Sequence, residues 1–206
     1  MELVLSLKYY QYGIQVWWEM IFILTGCLAF IFFYIFDLNQ IKIFNKAVNL
    51  SFAAGIALLA ISTFGIMLGN YDGFVIAGPL KLLLGALAIG TMVMMLYSLF
   101  AALPFSKTYV EAAKGKNVVD TGMYALCRHP GVLWFIFLYI FLWLATGKMM
   151  MLWAGIVWTV MDIIHVYIQD RWLFPRTLNG YRQYKKKVPF LLPSRASIIN
   201  CLSSLR

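Results

Sequence analysis

The stretch Val118-Val119-Asp120-Thr121-Gly122-Met123-Tyr124-Ala125-Leu126-Cys127-Arg128-His129-Pro130-Gly131-Val132-Leu133 passes from polar, aromatic and turn-forming residues straight into a long apolar run. That transition is the edge of a membrane span. Pro130 sits where the first turn of a helix tolerates a missing N–H, so the run after it predicts a helix over about Gly131 to Thr146. Gly122, Tyr124, Arg128, His129 and Pro130 gather at this edge, where polar groups lose water unless something compensates them.

Composition sets the class. The chain is 63% hydrophobic and 12% charged, with mean hydropathy +0.80, far more apolar than a soluble domain of this length. No period-2 alternation of a transmembrane barrel is visible, so the expected fold is all-α: a polytopic membrane helical bundle, one domain over residues 1–206. Cys27, Cys127 and Cys201 are odd in number and widely spaced, and with two histidines they offer neither a disulfide framework nor a metal-ligand spacing.

Outward from residue 118 the pattern predicts five spans of roughly membrane length. The first runs from about Ile14 to Phe36 behind an interfacial cluster of Lys8, Tyr9, Tyr10, Tyr12, Trp17 and Trp18. Leu24-Thr25-Gly26-Cys27 has the look of a lipoprotein cleavage box. However, Glu19 interrupts the apolar core and the run continues past Cys27, so the segment reads as an uncleaved helix. The second span covers about Ala47 to Leu68 and the third about Leu82 to Leu103. Ser51, Gly55, Gly85 and Gly90 offer small surfaces for close helix approach. After the 104–130 loop come the fourth span, a tight Gly147-Lys148 hairpin and a fifth span from about Met149 to Ile168.

Basic residues orient the bundle. With the C-terminus cytoplasmic, the 37–46 loop, the 104–130 loop and the tail hold 14 of the 17 lysines and arginines, and only Lys8, Lys81 and Lys148 fall on the other side. The positive-inside rule therefore predicts an outer N-terminus and a cytoplasmic C-terminus. It puts Arg128 and His129 on the same side as the basic tail. Topology accounts for the charge, and nucleic acid is not an expected partner.

The spacing Gly122-x-Tyr124-x-x-x-Arg128-His129-Pro130 resembles the signature of the integral-membrane methyltransferases that include isoprenylcysteine carboxyl methyltransferases and phospholipid N-methyltransferases. A second block extends the resemblance: Gln169-Asp170-Arg171-Trp172-Leu173, then Leu178-Asn179-Gly180-Tyr181-Arg182-Gln183-Tyr184, then Val188-Pro189 and Pro193. Two blocks at the right separation are more specific than Arg-His-Pro alone. The likeness covers roughly residues 81–195, leaving 1–80 as spans without signature and 196–206 as a tail. Departures fall at Val132, Gln169 and Leu178, and Asp170 stands where the family has a glutamate.

The resemblance implies S-adenosylmethionine as cofactor, a lipophilic or membrane-embedded methyl acceptor, and a cytoplasmic cofactor pocket built by the C-terminal half. Expected cofactor contacts are Tyr124, His129, Pro130, Asp170, Tyr181 and Tyr184. The carboxylate accepts hydroxyl or amino protons, His129 and nearby backbone N–H groups hold the cofactor's carboxylate, and the tyrosines face adenine or sulfonium. Arg128 and Asp170 are the expected catalytic residues, the guanidinium orienting a carboxylate or phosphate, and Asp170 or His129 serving as base where the acceptor is a protonated amine or hydroxyl. Carboxylate, amine, thiol and hydroxyl acceptors all remain open, and no metal is required.

Two other classes compete. Membrane reductases acting on sterol-like substrates with NADPH resemble the C-terminal region too, and the departures at Val132 and Gln169 also suit a non-catalytic module that binds lipid or a partner. Plainer readings exist for single residues. Arg128 and His129 are common headgroup anchors, and Lys185, Lys186 and Lys187 are a topology signal that also suits anionic lipid. Asp162 and His165, three apart on one helix face, form a mutually satisfied pair or a shell beneath the cofactor. Cys127 beside Arg128 lacks a resolving partner.

Overall fold

The structure is a computed structural model that describes residues 2–43, 45–69, 73–101 and 116–204, without the side chains of 2–16, 18, 19 and 116. The side chains of Lys8, Tyr9, Tyr10, Tyr12, Trp18 and Glu19, together with Lys107, Lys114 and Arg206, lie outside the described residues.

Apolar runs become helices because a helix alone satisfies its own backbone in hydrocarbon. The long elements are α1 (Glu2–Leu38), α2 (Leu50–Leu68), α3 (Gly78–Leu96), α5 (Pro130–Thr146) and α6 (Met149–Ile168). Short pieces fill the C-terminal half: α4 (Met123–Leu126), α7 (Phe174–Thr177), α8 (Tyr181–Lys187) and α9 (Arg195–Ser204). Strands β1 (Lys116–Asn117) and β2 (Leu178–Asn179) pair in parallel. Among the described residues the fold is all-helical but for this two-residue ladder and an isolated bridge between Gly73 and Lys148.

Four stretches, Met20–Ile43, Ala47–Leu68, Gly78–Ala101 and Met149–Thr177, are long and apolar enough to cross a membrane. The expected fourth span, α5, is apolar but only 17 residues long. At about 1.5 Å per residue it reaches roughly 25 Å, short of the roughly 30 Å hydrocarbon core. Its bounds are set by local chemistry. Pro130 opens it, and Gly147 closes it in the left-handed region at φ 70°, where a Cβ would stand 2.0 Å from the Phe74 carbonyl oxygen.

Helix α1 packs against α2 and α6, α3 against α5, and α5 against α6. Their common core holds Phe30, Ile66, Phe135, Tyr139, Met151, Ala154 and Trp158. Trp158 is fully buried, and its indole N–H donates to the Ile23 carbonyl at 3.1 Å. It fits because a Cβ on Gly26 would lie 2.2 Å from its ring. Close approach therefore occurs at Gly26, at Gly55 against Phe33 and at Gly65 against Phe22, whereas Gly85 and Gly90 face open space. The expectation for those last two is corrected: their faces pack on nothing among the described residues.

Among the described residues three helices end in π turns, at Asn39–Ile43, Tyr97–Ala101 and Gln169–Leu173. All three meet at one end of the bundle. Gln169 bonds to Asp37 just before the first turn, and the Ser98 carbonyl in the second accepts from Tyr124 of α4. Wider π turns redirect side chains and recur at functional sites. At the opposite end, the Lys148 ammonium donates to the carbonyls of Ile66, Met67 and Gly69, closing the C-terminus of α2.

Candidate functional site

Asp170 is the hub of the polar end. It lies in the π turn after α6, with its side chain 3% exposed. Its Oδ1 accepts from the Tyr181 hydroxyl at 2.7 Å and stands 2.7 Å from Arg128 Nε, too poorly aligned for a hydrogen bond but a close ion pair. Its Oδ2 accepts from Lys185 Nζ and more weakly from Arg128 Nη2 at 3.4 Å. Two cations against one carboxylate leave the cluster with a positive surplus.

Arg128 is held by backbone as well as by charge. Its Nη1 donates to the carbonyls of Lys185 and Val188, both at 2.9 Å, while its own backbone N–H donates to the Pro189 carbonyl at 2.9 Å. The guanidinium also packs over Phe190, 5.5 Å from the ring centroid. One side chain thus ties the loop before α5 to the tail after α8. With its fork so occupied, Arg128 is fixed toward Asp170. Lys185, 31% exposed against 9% for Arg128, is the cation that solvent and ligands can reach.

His129 precedes α5 and is buried between Phe174, stacked at 5.9 Å, and Phe190, edge-on at 5.0 Å. Its Nε2 stands 3.7 Å from Asp170 Oδ1, too far for a hydrogen bond, and has no other partner among the described residues. Burial lowers the imidazole pKa, partly offset by Asp170. A buried ring nitrogen without a partner is uncommon and points to a missing ligand or water.

The tyrosines brace this cluster. Tyr184 donates to the Tyr124 carbonyl at 2.7 Å, and Tyr124 donates to the Ser98 carbonyl at 3.0 Å. That chain links α8 through α4 to the end of the third span. Tyr181 packs between Phe174 and Tyr184. Burial, and for Tyr181 the hydrogen bond to Asp170, pushes both phenols well above their usual range. Gly180, at φ 78°, makes the turn that aims α8 back at Asp170. Behind it the Val118 N–H donates to the Asn179 carbonyl at 3.1 Å, joining the two sequence blocks.

Of the residues expected from sequence, Arg128, His129, Asp170 and Tyr181 therefore meet in one cluster. Tyr184 and Tyr124 are joined by a hydrogen bond beside it, and Pro130, fully buried, starts the helix beneath. Sequence reading missed the contact between Lys185 and Asp170, because a lysine run reads as topology whatever else it touches. Phe174 and Phe190, the walls of His129, carried no signal beyond flanking the second block.

Asp162 and His165 do not form the expected pair. Among the described residues His165 instead bonds through Nε2 to Asp37 Oδ2 of α1 at 2.8 Å. Gln169 donates to both oxygens of the same carboxylate, at 3.2 and 2.9 Å. The contact crosses the packed interface of α1 and α6, which the spacing of residues along one helix does not register. Asp37 went unremarked in the sequence since an acid at a span end is ordinary.

Compared with protein-family models, curated proteins and solved structures, the chain matches none.

Proposed function

We propose that the chain is an S-adenosylmethionine-dependent methyltransferase acting on a lipophilic or membrane-embedded acceptor. The observation that carries this reading is the convergence of the two motif blocks on one carboxylate: Arg128 from the first, Tyr181 and Lys185 from the second, all on Asp170. In the orientation set by the basic residues this end faces the cytosol.

The residues suit the cofactor in kind. His129 Nε2 is a buried polar atom without a partner, and Lys185 brings a surplus positive charge with donors to spare. Both suit the carboxylate of the cofactor's amino-acid end. Phe174, Phe190 and Tyr181 supply faces for a flat base or a cationic sulfur. When bound, S-adenosylmethionine supplies an electrophilic methyl group on sulfur.

The chain's own groups then position and exclude. Asp170, neutralised by Arg128 and Lys185, is a weak base and serves as an acceptor and anchor rather than as the proton-removing group. Arg128 locks the tail over α5, keeping water from a site where charge disperses as the methyl moves. Positioning of the two reactants supplies much of the rate. The acceptor enters from the bilayer, between helices whose outer faces are apolar.

Calorimetric titration of the detergent-purified protein with S-adenosylmethionine tests the reading. The expected result is saturable binding, weakened at least tenfold in His129→Ala and in Asp170→Asn, with NADPH unable to compete. A folded protein that binds no S-adenosylmethionine overturns it, and NADPH binding in its place would identify a reductase.

A further inference from the structure

Lys42 and Trp172 come from opposite halves of the chain and meet at the end of the bundle where the basic residues gather. Lys42, in the π turn after α1, holds its ammonium over the Trp172 indole at 5.7 Å. Arg176 of α7 lays its guanidinium on the same ring at 4.5 Å, steadied by a hydrogen bond from Nη1 to the Trp172 carbonyl at 3.0 Å. Beside them Arg171 packs over Tyr167 at 5.5 Å. All of these side chains are exposed.

No carboxylate answers the three cations. Among the described residues none of them has an acid within ion-pair distance. Asp37 and Asp170, close to them in sequence, are engaged elsewhere, the first with His165 and Gln169 and the second with Arg128 and Lys185. The positive-inside rule explains why basic residues lie on this side, but not why three of them gather on two aromatic rings. A cation seated on a ring face keeps its outer N–H donors for an anion.

The surface that runs up to these cations is apolar. On α1, Ile31, Ile35 and Leu38 are exposed at the spacing of one helix face, and the stripe ends at Lys42. On α6, Ile164 and Ile168 are exposed in the same way, and that stripe ends at Arg171 and Trp172. Because α1 packs against α6, the contact of Lys42 with Trp172 sets the two ends side by side. Acyl chains laid along these faces would finish beneath the cations, at the depth where tryptophan and basic side chains meet headgroups.

We propose that Lys42, Arg171, Trp172 and Arg176 form a binding surface for the headgroup of an anionic phospholipid whose chains lie along the exposed faces of α1 and α6. The guanidinium forks suit a phosphate, and Lys42 adds a point charge. Three positive charges without an acid favour a net anionic head over a zwitterionic one, whose own cation meets like charge. Asp170 is buried while its neighbour Arg171 is exposed, so this surface lies outside the Asp170 cluster. The lipid is a bound partner and not the methyl acceptor, and the inference stands apart from the methyltransferase reading.

Native mass spectrometry of the delipidated protein in detergent tests it, with dioleoyl phosphatidylglycerol against dioleoyl phosphatidylcholine, which share their chains. Phosphatidylglycerol should bind saturably and about tenfold more tightly. Lys42→Gln combined with Arg176→Gln should weaken it about fivefold for each cation removed. Lys186→Gln combined with Lys187→Gln removes the same charge from exposed positions of α8 and should change it little. Phosphatidylcholine binding and the thermal midpoint should be the same in both double variants, which shows that the fold is kept. Inorganic phosphate at millimolar concentration should not displace the lipid, because the chains hold it too. Equal affinity for the two lipids in the wild-type protein, equal weakening by the two double substitutions, or displacement by inorganic phosphate would overturn the inference.

Discussion

Arg128 and Asp170 stand 42 residues apart in sequence, yet their side chains meet at 2.7 Å with 9% and 3% of their surfaces exposed. Breaking a buried pair strands the partner's charge, at a cost of about 3–5 kcal/mol. Asp170→Leu and Arg128→Met should each lower the thermal midpoint strongly in detergent, while the double substitution should recover a large part of the loss. Strictly additive losses in that cycle would show that the two side chains do not act as a pair.

Protonation of His129 should destabilise the polar end. Burial holds its pKa below the ordinary value, which for an unfolded chain is about 6.5. Below that pH the unfolded state takes up a proton that the folded state refuses, so stability falls with falling pH from about 6.5 down to the folded pKa, and is untouched above it. The wild-type midpoint should drop between pH 7.5 and pH 5 by more than that of His129→Gln. A steeper drop in the variant would contradict the burial of a neutral ring.

Gly26→Ala should loosen the junction of α1 and α6. The added Cβ would lie 2.2 Å from the buried Trp158 ring, which has no open side to retreat to. Overpacking of this kind costs about 1–3 kcal/mol. Gly85→Ala, where no described atom lies within 4 Å, should be neutral or slightly stabilising because alanine is the better helix former. Thermal unfolding of the two variants side by side checks the contrast.

Cys127 should be silent toward thiol reagents despite its neighbour Arg128. Burial pushes its pKa up to about 11, and its side chain is closed to solvent, so thiolate is scarce at neutral pH. Mass spectrometry after maleimide treatment should find Cys127 modified only once the protein is unfolded. Rapid labelling of the native state would show that the loop before α5 opens.

The sequence by itself determined what local chemistry can encode. Hydropathy marked the apolar runs, Pro130 and Gly147 bounded α5, and the paired blocks around Arg128 and Asp170 marked residues that the fold brings together. Each of these signals acts within a helical turn or depends on composition alone. Only the tertiary structure decided which charges meet. The spacing of Asp162 and His165 suggested a pair, but a carboxylate from α1, 128 residues away, takes the imidazole. Among the glycines, Gly26 and Gly65 became contacts while Gly85 and Gly90 did not. The physical reason is that hydrogen bonds and ion pairs are short-ranged and directional. Which partner lies within about 3 Å is set by how helices cross, and a linear pattern of apolar residues leaves that crossing open.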